Sequence, residues 1–221
     1  MIKYAETTTL ILLWCFLLSV GWAWLVYGLQ AYFRRGPLVT RTQLAGTAIL
    51  PALVVGPLVL VAAFRLAGIN LLYPVHFFAT LPALAGAALV PSLVLLVASG
   101  MAATVRRNVI EEYELWSAKT FALVVLAVGR SPHHVLRRLV MTKALAQAWS
   151  QCLPWAFGEL IIIETVFNAP GLGLDAWHLA RVHDLAGLGE IVAWLAALYL
   201  LCVGLTVAVN RWLGRRLESY A

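Results

Sequence analysis

Long uncharged runs separated by short polar clusters set the pattern of this chain. Residues 7–33 contain no Asp, Glu, Lys or Arg. Twenty-three uncharged residues separate Arg41 from Arg65, and the forty residues from Leu66 to Val105 are also uncharged. The runs near 144–163 and 191–210 hold one acid between them, Glu159. About 20 apolar residues in helical conformation cross a hydrocarbon layer of about 30 Å. The pattern therefore predicts an all-α, polytopic membrane protein with about five transmembrane helices, at roughly 8–32, 43–65, 83–105, 143–163 and 188–210. The forty-residue run is assigned one span because Gly68-Ile69-Asn70 and Tyr73-Pro74-Val75-His76 read as a loop or interfacial segment. Phe121–Val128 is apolar but only eight residues long, too short to cross, and predicts a buried or interfacial helix.

Composition agrees with that pattern. Of 221 residues, 62% are hydrophobic and 12% charged, and the mean hydropathy is +0.88. A water-soluble domain of this length has too little polar surface to cover so much apolar area. The net charge of +6 is explained by orientation, so no nucleic-acid partner is expected. With five spans and Arg106–Lys143 on the cytoplasmic side, thirteen of the sixteen Lys and Arg residues collect on that side. Only Lys3, Arg65 and Arg181 fall opposite. This bias predicts an N-terminus outside and a C-terminus inside a cell membrane. No small-residue cleavage site follows the first run, which is expected to remain as a helix. Cys15, Cys152 and Cys202 lie in predicted spans, have no metal-ligand spacing and read as small packing residues.

Signatures of chemistry are sparse. No GxxxxGK[ST] loop is present, and Ala118-Lys119-Thr120 lacks the glycine that would cradle phosphate. No catalytic residue, cofactor or metal is therefore assigned to the chain. His76, His133, His134, His178 and His183 all fall outside the predicted spans, which disfavours axial haem ligation. Adjacent His133 and His134 point to different helix faces and, beside Arg137 and Arg138, read as a solvated basic surface. His178 and His183, near Asp175 and Asp184, read as a polar loop ahead of a weak metal or substrate contact. Glu159 inside a span has two readings, a lining residue of a polar pathway (with Trp155) or a protonated or paired acid one helical turn from the outer interface. Glu164 and Glu190 are expected at span ends, where charge reaches water.

Two segments carry more information. Between the third and fourth spans, residues 106–142 form a predicted cytoplasmic loop within the single transmembrane domain 1–221. Its acids, Glu111, Glu112 and Glu114, precede the apolar stretch that ends at Gly129. Arg130-Ser131-Pro132 then restarts a helix, with Ser131 as N-cap and Pro132 at the first helical position. Val135, Leu136, Leu139 and Val140 share one face of that helix, with Arg137, Arg138 and Lys143 toward the other. A short apolar helix here suits docking into a partner's groove or resting on lipid. The second segment reads "GELIIIETVFNAPGLGLDAWHLARVHD". Its apolar helix closes at Glu164, Pro170 stops continuation, and Gly171 and Gly173 are expected to permit a tight reversal into a short polar helix within 164–187.

These segments together resemble the permease subunits of binding-protein-dependent ABC transporters of the dipeptide/oligopeptide/nickel class. Glu164, Thr165, Val166, Phe167, Pro170, Gly171, Leu172 and Gly173 match the family's "ETVFxxPGLG". Gly129, Ser131, Val135, Leu136, Arg138, Ala144 and Leu145 fall in register with the second half of its EAA-type cytoplasmic loop. The resemblance covers about Arg106–Ala221. It departs where Phe121–Val128 is apolar, since the family's loop usually carries Arg and Lys there. It implies a type I ABC importer permease core and an ATPase-coupling element at Phe121, Ala127, Gly129, Arg130, Ser131 and Pro132. It further implies a second permease subunit (identical or not), two ATP-binding subunits that hold the ATP, and an external solute-binding protein. Two other readings stay open: a non-transporting membrane anchor or assembly subunit, and a secondary transporter. The single buried acid and the absence of internal repeats weigh against the latter.

Overall fold

The computed structural model describes residues 2–32, 51–67, 71–72, 81–119 and 133–218. Among these residues all regular structure is helical, in seven helices: α1 (Ile2–Tyr32), α2 (Ala52–Ala67), α3 (Leu81–Ala98), α4 (Met101–Ser117), α5 (His133–Val166), α6 (Leu172–Arg181) and α7 (Leu185–Glu218). The all-α expectation holds for them. Among the described residues two stretches are long and apolar enough to span a membrane, Ala5–Tyr32 of α1 and Leu185–Trp212 of α7. Each has 28 residues, or about 42 Å at the helical rise. Both present large apolar side chains outward, including Leu13, Leu17, Leu25 and Leu29 on α1 and Leu200, Leu201 and Leu205 on α7. That outward apolarity suits lipid.

The other three expected spans are not among those stretches. The span at 83–105 is interrupted: α3 stops at Ala98 and α4 starts at Met101. Gly100 takes a left-handed φ of 72° and its N–H bonds the Val97 carbonyl, while Ser99 Oγ donates back to Leu95 O. A glycine in that conformation ends an α-helix. Counting the broken pair as one raises the spanning helices from two to three. The described part of the second expected span is α2, which has 16 residues; residues 43–50 lie outside the described residues. The fourth expected span lies inside the 34-residue α5, whose apolar run is interrupted by Gln147, Ser150, Gln151 and Glu159.

The chain divides into two units. The first comprises Met1–Leu18, Ile49–Gly100 and Leu153–Cys202. Its buried side chains include Ile11, Leu95, Leu160, Ile163 and Phe167, and Leu172, Ala176 and Ile191 form a cluster joining α6 to α7. Ser92 Oγ bridges from α3 to the Ile11 carbonyl of α1 at 3.0 Å. The second comprises Ser19–Ala48, Met101–Cys152 and Val203–Ala221. Here α4 buries Met101, Val105, Val109, Tyr113 and Trp116, a helical-period face. Leu136 and Val140 of α5, two residues of the expected apolar face, are buried as well, while Arg138 is exposed. Tyr113 meets Tyr27 edge-to-face, with centroids 5.6 Å apart. Cys15 and Cys152 are buried thiols and Cys202 is part-buried, as small packing residues would be.

Candidate functional site

The segment resembling the permease signature folds into one interlocked turn. Helix α5 ends at Val166, and Asn168 takes the left-handed conformation with φ 51°. Ala169 N–H bonds the Glu164 carbonyl at 2.8 Å and Asn168 N–H bonds the Thr165 carbonyl at 3.3 Å. This pair of bonds around a left-handed residue is a Schellman C-cap, with Asn where glycine is commoner. The reversal is therefore made at Asn168 and not, as expected, by the conformational freedom of Gly171 and Gly173. Gly171 is extended, with φ −116° and ψ 177°, and serves as the N-cap of α6.

The two glycines are needed for space. A Cβ on Gly171 would strike the Glu164 carboxyl group. One on Gly173 would lie 2.7 Å from the Ile161 Cα and 2.9 Å from Glu164 Oε2. Backbone cannot yield cheaply to such a contact. Phe167, Ala169 and Leu172 seal the turn, each almost wholly buried.

Inside this turn Glu164 is 0% exposed. The expectation that its charge reaches water at a helix end is overturned, because α6 begins directly over the carboxylate. Glu164 Oε2 accepts the Gly173 N–H at 2.6 Å and the Leu174 N–H at 3.3 Å. Its Oε1 accepts the Thr8 hydroxyl at 2.7 Å, and Thr8 Oγ1 accepts the Leu172 N–H at 2.9 Å. The first N–H groups of a helix have no partner within it and carry partial positive charge. Gly171 has no side chain to cap α6, so Glu164 and Thr8 perform the capping from α5 and α1. Three helices are thereby tied at one carboxylate, with every short bond made by a neutral donor.

Glu159 lies half-buried one turn back, and its Oε2 accepts the Ala52 N–H at 3.0 Å. Ala52 opens α2, so this acid satisfies another orphan helix-end donor. Of its two sequence readings, the paired acid is the one with a visible partner. Trp155 is 70% exposed on α5 and makes no part of the turn. Thr165 Oγ1 bonds back to the Ile161 carbonyl at 2.8 Å. Val166 Cγ1 lies 2.9 Å from where a Cβ on Gly56 would stand, so α2 packs closely on the end of α5.

Beyond the turn, Trp177 and His178 are exposed on α6, and His183 has φ 58° in the connection to α7. Asp184 Oδ1 accepts the Gly187 N–H at 3.1 Å, an N-cap bond that starts α7. Among the described residues no three His, Cys, Asp or Glu side chains converge on a common point. Phe121, Ala127, Gly129, Arg130, Ser131 and Pro132 lie outside the described residues.

Sequence reasoning missed Thr8. The signal was the Thr7-Thr8-Thr9 triplet in an apolar run, since a buried hydroxyl needs a partner. No family model matches the chain, and no curated protein matches it.

Proposed function

We propose that the chain is the transmembrane permease subunit of an ATP-driven importer for a small solute, a peptide, metal chelate or similar molecule. The observation that carries the reading is the Glu164 turn. The residues resembling the permease signature are those whose chemistry the turn requires: Glu164 as the cap, Gly171 and Gly173 as the residues with no Cβ to clash, and Phe167 as the seal. Two apolar helices of spanning length support the membrane part of the reading. The N-terminus outside and the C-terminus inside belong to the same proposal, as do five spans in the assembled permease.

In this reading the chain supplies half of a pathway and a partner permease the other half. ATP is bound and hydrolysed by two partner subunits, since this sequence has no phosphate-cradling loop. The segment 121–132 docks on them, and an external binding protein delivers solute. Nucleotide can shift the permease only through contacts that differ between its inward- and outward-open states. The Glu164 turn keeps α5, α6 and α1 together during that shift, and Glu159 and Trp155 are the candidates for lining the pathway.

The test is reconstitution. The tagged full chain is co-expressed with the genes that flank its own, whatever they encode, and any complex it forms is purified into lipid nanodiscs. The reading expects a stable complex containing a P-loop ATPase whose hydrolysis rises with the solute-loaded binding protein. A well-folded chain that purifies without any ATPase contradicts it and favours the anchor reading.

A further inference from the structure

We propose that a buried cluster around Glu112 is a positioning device that makes α4 and α5 move as one body where they flank the ATPase-coupling segment; the inference rests on the permease reading above. Helix α4 ends at Ser117 and α5 begins at His133, so the expected coupling residues, 121–132, are bracketed by these two helices. Whatever displaces that segment must act on the helices at either side of it. A displacement reaches the rest of the chain as a single motion only if those helices are fastened to each other.

The fastening is visible. Glu112 on α4 is 7% exposed. Its Oε1 pairs with Lys143 Nζ of α5 at 3.0 Å and accepts from Gln147 Nε2, also of α5, at 3.3 Å. Its Oε2 accepts from Trp116 Nε1 at 2.9 Å. The Trp116 ring in turn takes Lys119 Nζ at 4.0 Å from its centroid and Lys143 Nζ at 5.9 Å, within cation–π range. Lys143 and Gln147 are four residues apart, hence on one face of α5. A second link runs between the same helices, from Arg107 Nη2 to Gln151 Oε1 at 3.1 Å.

An apolar seam would hold two helices together with less directional demand. A buried carboxylate with a donor on each oxygen fixes one register, because slipping by a residue strands its charge away from water. That property suits transmission of a displacement. Gln147 donates to Oε1 and Trp116 to Oε2, so both oxygens of the carboxylate are hydrogen-bonded.

The test uses the full chain in nanodiscs with spin labels at two exposed positions, Glu114 on α4 and Arg138 on α5. Distances are read with and without nucleotide on the co-purified ATPase. The parental chain should give one narrow distribution that shifts as a whole with ATP. Glu112→Gln and Lys143→Met should broaden it and abolish the ATP-linked shift while the ATPase is still captured. Lys143→Arg, which keeps the charge, should restore both readouts. Trp116→Phe keeps the ring, removes one donor and serves if Glu112→Gln fails to fold. It should broaden the distribution less than Lys143→Met. A parental-width distribution in Lys143→Met, or a retained ATP-linked shift in it, overturns the proposal and leaves the permease reading standing. A parental chain that captures no ATPase overturns both.

Discussion

Among the described residues two carboxylates are almost wholly withdrawn from solvent, and they are satisfied in opposite ways. Glu164 is held by two backbone N–H groups at the start of α6 and by a threonine hydroxyl. Glu112 is held by a lysine, a glutamine and a tryptophan, all through side chains. The first arrangement depends on where the backbone goes, so it demands glycines at fixed places and a left-handed turn. The second depends on which side chains face each other across two helices, and any helix pair of the right spacing could carry it. A backbone-built site leaves a short, dense sequence signature. A side-chain-built site scatters its residues over 36 positions, from Glu112 to Gln147.

The largest expected effect breaks the backbone-built site by filling its space. Gly171→Val places atoms where the Glu164 carboxyl stands, and Gly173→Ala presses on the Ile161 backbone. Each should destabilise the protein by about 3 kcal/mol or more, read as loss of cooperative unfolding in mixed micelles. The next comparison separates neutral from charged donors. Glu112→Gln leaves Lys143 without its counter-charge and should cost about 2 kcal/mol, discounted because the lysine side chain is 31% exposed. Glu164→Gln still offers a carbonyl oxygen to the amides of α6 and should cost about 1 kcal/mol. Equal losses at the two sites would mean that neutral and charged donors hold their carboxylates alike.

Smaller effects sharpen the same contrast. Thr8→Val removes both a donor to Glu164 and an acceptor for Leu172, at about 1–2 kcal/mol, while Thr8→Ser should restore most of it. Asp184→Ala and Glu159→Ala each remove one helix-end cap, at about 0.5–1 kcal/mol by thermal unfolding. Arg107→Ala should be the mildest for its pairing with Glu111, since that 3.9 Å contact joins two largely exposed groups.

The same contrast explains what the sequence disclosed. The helical class and the two terminal spanning stretches were legible from uncharged runs alone. The turn after Glu164 was legible as a turn because Pro170 and the glycines punctuate an apolar helix. Its mechanism was not, since Asn takes the left-handed C-cap position less often than glycine, and two glycines follow it. Burial of Glu164 was also hidden: a carboxylate at the end of an apolar run ordinarily goes to water, and only the return of α6 reverses that. Thr8 lies 156 residues away from its partner, beyond any local pattern. The break at Ser99-Gly100 was overlooked because a glycine inside an uncharged run does not by itself say which φ it adopts. Glu112 read as part of an acidic cluster with Glu111 and Glu114, although only Glu112 faces the helix pair's interior.

Glu164 caps α6 and so ties α5, α6 and α1 at one point. Amide hydrogen exchange of the full chain in nanodiscs, resolved at Leu172, Gly173 and Leu174, tests it most directly. These three helix-start amides, ordinarily among the first to exchange, should be protected as strongly as the middle of α5, and Glu164→Ala should release Gly173 and Leu174 together while Leu172 keeps its Thr8 acceptor. Rapid exchange at Gly173 in the parental protein, or protection unchanged by Glu164→Ala, would contradict it.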